Sequence, residues 1–235
     1  MPVIAQFPLE KAILASHVLA GTISLLAGIG ALTLGRKGGR LHRACGSCYF
    51  YAMAWIFISA NLIFALYRFS AFFLFISMFS FYQAFSGFRV LRRKKPGSHT
   101  ALDWSIAWAA LAVIIGSLAL SLGVARRGLA LTDGLSLLFG ALAVLAVRAD
   151  ILSFRRGLAF PPRWWLIHHI QAMVGSFIAA VTAFLVQNGA RLTGIRGQQW
   201  LFWIAPTMLG TLYIVRETRR IRRETAGVAS RPGTS

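Results

Sequence analysis

Seven long apolar runs separated by short polar clusters make up most of the chain. They are Ala12–Leu34, Tyr49–Leu66, Ala71–Phe88, Ile106–Val124, Leu129–Val147, Trp165–Val186 and Trp200–Val215. About 20 apolar residues cover ~30 Å of hydrocarbon at 1.5 Å per residue. Each run is therefore read as a membrane span, and each span as a helix, because lipid offers a free backbone amide no partner. The intervening clusters carry helix-stop residues. Arg36-Lys37-Gly38-Gly39-Arg40 follows the first run, Lys94-Lys95-Pro96-Gly97-Ser98 the third, and Phe160-Pro161-Pro162-Arg163 precedes the sixth. Asn188-Gly189 is expected to end the sixth span. Tyr67-Arg68 is so short a link that the second and third spans should form a tight antiparallel hairpin.

Composition agrees with this pattern and sharpens it. Of 235 residues, 57% are hydrophobic and 13% charged, with a net charge of +19. A soluble domain carries roughly 25% charged residues, so neither a standard soluble domain nor a disordered chain fits. The basic residues are unevenly divided: 6 of the 25 Lys and Arg lie on the N-terminal side of the spans and 19 on the other. By the positive-inside rule the N-terminus is outside and the C-terminus cytoplasmic. The expected architecture is all-α: an integral bundle of seven transmembrane helices (residues 1–216), N-out and C-in, with a basic cytoplasmic tail (217–235). The location expected is a bacterial cytoplasmic membrane. Because topology already accounts for the charge, nucleic-acid binding is not expected. The bilayer is the expected partner. The tail, Arg216–Glu224, is expected to continue the last helix along the inner leaflet and attract anionic lipids. The opening residues lack the basic region of a cleavable signal.

Ionisable groups inside spans are costly and so informative. None of Asp, Glu, Lys or Arg falls mid-span, which argues against a carboxylate-driven proton carrier. The seventh run has no lysine for a retinal Schiff base. His17, above a stripe of small residues (Gly21, Ser24, Gly28, Ala31), should face the bundle, either bonded to a neighbouring helix or as a ligand-binding group. His168 and His169 open the sixth span. Neighbours diverge by about 100° around a helix, so one should face inward and the other the interface.

The remaining polar groups gather in depth. His42 and Arg43 precede the second span, Arg89 ends the third, Asp103 begins the fourth, Asp150 ends the fifth and His169 begins the sixth. In the orientation above all lie at the cytoplasmic ends of their helices. Three chemistries suit such a layer. His42, Asp103, Asp150 and His169 offer the N and O donors that zinc or non-haem iron takes. Two histidines at one depth suit b-type haem. Arg43 and Arg89, with a protonated histidine, suit an anionic headgroup or a phosphate, and haem or a quinone headgroup in the layer would make the protein a redox component. The alternative is a salt-bridge layer that fixes topology alone, in a scaffold, sensor or permease. His17 is too far away to join His169 on one iron: counting residues leaves a gap of roughly 16 Å across the ~30 Å core. Cys45-Gly46-Ser47-Cys48 is a solitary CxxC without the histidine of a haem-attachment motif. No catalytic residue is singled out, and enzymatic activity is left open.

The motifs Leu41-His42-Arg43-x-x-Gly46-x-x-Tyr49 and His169-Ile170-x-x-Met173, the latter running on to Thr182-Ala183-Phe184, carry a resemblance. With His17, Gly21, Ser86-Gly87-Phe88-Arg89, Asp103, Asp150, Arg155-Arg156, Trp203 and Pro206, the chain resembles an uncharacterised family of bacterial multi-pass membrane proteins known only as a domain of unknown function. The resemblance runs from the first span to the last and implies a membrane protein without an assigned activity. It marks the same His17, His42, Arg89, Asp103, Asp150 and His169 that depth selects.

Overall fold

The computed structural model describes residues 8–67, 70–95, 97–125, 131–154, 160–194, 198 and 200–229. Among them are seven α-helices and no strand: α1 Pro8–Thr33, α2 Arg40–Leu66, α3 Ala71–Arg89, α4 Ala101–Ala125, α5 Leu131–Ser153, α6 Trp164–Thr193 and α7 Trp200–Ala229. A 3-10 turn, Val90–Arg92, extends α3. Five of these helices contain segments long and apolar enough to cross a membrane: Pro8–Thr33, Arg40–Leu66, Phe72–Arg92, Ala101–Leu120 and Trp164–Thr193. α5 and α7 are not among them. Part of α5 lies outside the described side chains, and the second half of α7 is charged.

The burial pattern is that of a membrane protein. Small residues are prominent among what the helices bury, including Ala27, Ser24, Ala52, Ser59, Ala107 and Ala143, while many leucines, such as Leu19, Leu26, Leu145 and Leu209, are exposed. In water this would be inverted. Against lipid it is expected, since large apolar side chains gain nothing by leaving hydrocarbon and small ones let backbones approach.

The chain divides into two compact units. The first comprises Met1–Tyr82 and Ala101–Leu152. Here α1 and α2 form an antiparallel hairpin whose turn uses left-handed glycines, Gly35 (φ +68°) and Gly38 (φ +78°). Lys37 Nζ reaches back to the carbonyls of Ala31 and Leu32, which the end of α1 leaves without amide donors. Up the hairpin, Gly30 lies against Cys45 and Trp55 Nε1 donates to Ser16 Oγ at 3.2 Å. The expected α2–α3 hairpin is present: Phe57 stacks on Phe81 at 4.7 Å, Asn61 Nδ2 donates to Ser77 Oγ at 3.2 Å, and Phe64 stacks on Phe73 at 6.2 Å. On α4, Ala107, Ala110 and Ile114 recur at helical spacing and are fully buried, as are Ala143 and Val147 of α5. Leu118 of α4 fills the space that a side chain at Gly140 would take.

The second unit comprises Gln83–Thr100 and Ser153–Ser235. The last turns of α3 run antiparallel to the start of α6, and α6 antiparallel to α7. The sixth helix does not stop at Asn188-Gly189 but runs to Thr193, where Gly194 caps it at φ +72° and donates its amide to Ala190 O at 3.1 Å. Gly189 has a packing role instead: a Cβ there would lie 2.6 Å from the Phe202 ring. Ile178 fills the corresponding gap at Gly210 of α7. The tail does continue the last helix. One face of it packs on its own unit: Thr218 and Ile221 are buried and Arg163 pairs with Glu224 at 3.4 Å.

Candidate functional site

The first unit holds His17, His42, Arg43, Asp103 and Asp150. His42 sits in the first turn of α2 and its Nδ1 lies 2.9 Å from Ala31 O. A carbonyl only accepts, so Nδ1 carries a proton and donates it to Ala31 O. The turn glycines and the Lys37 contact bring the end of α1 back to this ring. Arg43, the next residue, is exposed. Asp103 lies in the first turn of α4 and is 2% exposed. Asp150 lies in the last turn of α5, where its Oδ2 accepts a 2.8 Å hydrogen bond from the Tyr82 hydroxyl. Both partners of that bond are buried. The Leu118–Gly140 contact sets the α4–α5 register, and both carboxylates lie towards the same end of that pair.

His17 is elsewhere. Its Nδ1 is 2.9 Å from Ser59 Oγ, and that hydroxyl already donates to Trp55 O at 2.7 Å. Ser59 has one proton, so His17 is the donor between them. His17 is thus hydrogen-bonded to the neighbouring helix α2. Ser24 and Gly28 on its stripe are buried, whereas Gly21 has open space around it. Residue 31, which meets His42, stands 14 positions from His17, or about 21 Å along the helix. His17 and His42 belong to different levels of the hairpin.

The second unit holds Arg89 and His169. Here two motifs found separately in the sequence form one contact. Ser86-Gly87 of α3 meets His168, His169, Ala172 and Met173 of α6. His169 Nδ1 donates to Gly87 O at 2.8 Å in the same way. His168 Nε2 lies 2.8 Å from Ser86 Oγ. The two histidines were expected to point apart, one inward and one to the interface. Both reach α3, because one bonds through its distal nitrogen and the other through its proximal one. One turn on, Gly175 leaves room for the Gln83 side chain. Arg89 donates to Thr100 Oγ1 at 3.0 Å and lies 5.9 Å from the Phe85 ring.

Sequence reasoning missed Tyr82, hidden in a phenylalanine-rich run, and the environment of Arg93. That arginine sits in what reads as a topogenic basic cluster. It is nonetheless 4% exposed, with its guanidinium 5.6 Å from the Phe154 ring, against which His99 also packs at 4.2 Å. Cys45 is half-buried beside Gly30 and Cys48 is exposed, both as free thiols. Among the described residues, no group of three or more His, Cys, Asp or Glu side chains is gathered as a protein-built metal site requires. No protein-family model, curated protein or solved structure matches the chain.

Proposed function

We propose that this chain is a seven-span protein of the bacterial cytoplasmic membrane, N-out and C-in. In this reading it binds b-type haem through His42 or through His169, and acts as a one-electron redox component. The observation that carries the reading is the shared state of the two histidines: each donates Nδ1–H to a backbone carbonyl, Ala31 O or Gly87 O. Metal-ligating histidines are held in this way, the second-nitrogen bond fixing tautomer and ring orientation while raising the basicity of the other nitrogen. Zinc and non-haem iron ask a protein for three or more ligands. Haem asks for one or two, so of the three candidates it demands least of this ligand set. In each unit an arginine accompanies the histidine, Arg43 with His42 and Arg89 with His169, and guanidinium matches the carboxylate geometry of a propionate.

A second reading has its own support. Tyr82–Asp150, Ser86–His168 and His17–Ser59 each join two helices of one unit, as a polar layer serving only to fasten helices would. In that case the protein is a non-catalytic scaffold, sensor or permease.

Iron content and the absorption spectrum of the detergent-purified chain separate the two. Haem binding predicts near-stoichiometric iron and a Soret band that shifts on reduction. His42→Ala or His169→Ala should abolish at least one haem signal at unchanged helix content, while His17→Ala leaves it intact. Iron at background level would end the haem reading. Stoichiometric zinc in its place would turn the search to hydrolysis, with a zinc-bound water as nucleophile.

A further inference from the structure

The second half of α7 has two faces. Ile214, Thr218, Ile221 and Thr225 follow one another at helical spacing; Thr218 and Ile221 are buried and the other two half-buried. Arg216, Arg219 and Arg223 recur at i, i+3 and i+7, fall on roughly the opposite side at ~100° per residue, and are exposed. The two acids of this stretch are engaged elsewhere. Glu217 pairs with Arg220 at 2.9 Å, and Glu224 takes Arg163 at 3.4 Å and Arg220 at 3.6 Å. The inward face and the Arg163–Glu224 bridge hold the helix, so the three arginines form a fixed stripe about 10 Å long at 1.5 Å per residue.

The α6–α7 register sets the depth of this stripe. Ile178 meets Gly210 and Arg163 meets Glu224, so Arg216–Arg223 run beside the first turns of α6. Those turns open with Trp164-Trp165, residues of the kind that occupy the headgroup layer. A row of exposed guanidinium groups at headgroup depth, on the side of α7 opposite its buried residues, is matched by lipid phosphate. Guanidinium binds phosphate bidentately.

We propose that Arg216, Arg219 and Arg223 form a binding site for the headgroup of an anionic phospholipid of the inner leaflet. The leaflet rests on the N-out, C-in topology proposed above; the lipid site itself rests on the α7 geometry. The full chain is to be placed in nanodiscs of phosphatidylcholine with phosphatidylglycerol, and the lipids retained on release counted by native mass spectrometry. Wild type should retain phosphatidylglycerol preferentially. Arg216→Gln/Arg219→Gln/Arg223→Gln should lower that preference by about fivefold per arginine, taking roughly 1 kcal/mol for each basic group. The matching lysine triple should keep most of it. Arg36→Gln/Arg40→Gln/Lys95→Gln, which removes the same charge from other loops, should keep all of it. Equal retention by wild type and the glutamine triple would overturn the site, and so would equal loss in the control triple. Protease access to a C-terminal tag in inverted vesicles tests the leaflet on its own. A periplasmic C-terminus would overturn the inner-leaflet assignment and the topology, leaving the lipid count to be judged separately.

Discussion

Gly87→Val should separate α3 from α6 and cost about 3 kcal/mol of stability, most of it from overpacking. The arithmetic starts from distances. A Cβ at Gly87 would lie 2.9 Å from Met173 Cγ, 3.0 Å from Ala172 Cβ and 3.0 Å from Met173 N. The methionine side chain can swing aside; the backbone nitrogen cannot, so the helices must part. Overpacking of this kind costs roughly 1–3 kcal/mol, and the displaced His169–Gly87 bond adds about 0.6 kcal/mol at the membrane average. Gly46, in the other shared motif, and Gly116 have nothing within 4 Å of a built Cβ. Alanine at either should be neutral or add up to about 1 kcal/mol through helix propensity. Thermal unfolding of the three variants in one detergent is the check. A Gly87→Val midpoint level with that of Gly46→Ala would mean that the α3–α6 contact is not what makes Gly87 matter.

The contrast between these glycines shows what the sequence could and could not disclose. The apolar runs were readable because crossing hydrocarbon constrains run length and little else. The helix ends were not, because hydropathy falls off before the helix does. α2 begins at Arg40, a full two turns before Tyr49, and α4 begins at Ala101 and so takes in Asp103. Gly189 reads as a stop signal, yet it is a contact surface for Phe202, while Gly194 does the capping. A glycine's letter does not say whether its missing side chain serves a turn, a cap or a neighbouring helix.

The candidate site divides in the same way. Depth along each helix follows from counting residues, so His42, Asp103, Asp150 and His169 could be assigned to helix termini, and each does lie within the first or last two turns of its helix. Partners depend on which helices touch, and no periodicity in one helix reports that. Hence His168 and His169 both reaching α3 was unforeseen, although Ser86-Gly87 stood in view as a motif. Tyr82 gave no sign of its role, because a tyrosine among phenylalanines reads as apolar until its hydroxyl is placed. Arg93 was masked by its neighbours: in a run of four basic residues, nothing marks the one whose guanidinium is buried.

Tyr82→Phe is the sharper probe of the buried carboxylates, because it removes one oxygen and leaves the ring to fill the same space. The Tyr82 hydroxyl donates to Asp150 Oδ2 at 2.8 Å, with Tyr82 2% and Asp150 8% exposed. Hydrogen bonds between membrane helices average about 0.6 kcal/mol. One that ends on a carboxylate with little access to water should cost more to break, about 2 kcal/mol, since the acceptor stays buried after its donor is gone. Asp150→Asn keeps the acceptor oxygen and weakens the bond without emptying the site, so the double-mutant cycle isolates the pair. A coupling near 2 kcal/mol would make this bond a principal tie between α3 and α5. A Tyr82→Phe loss no larger than the membrane average would place the stabilisation of Asp150 elsewhere. Asp103 would then be the carboxylate to probe next, because it is the more deeply buried of the two and lies towards the same end of the α4–α5 pair.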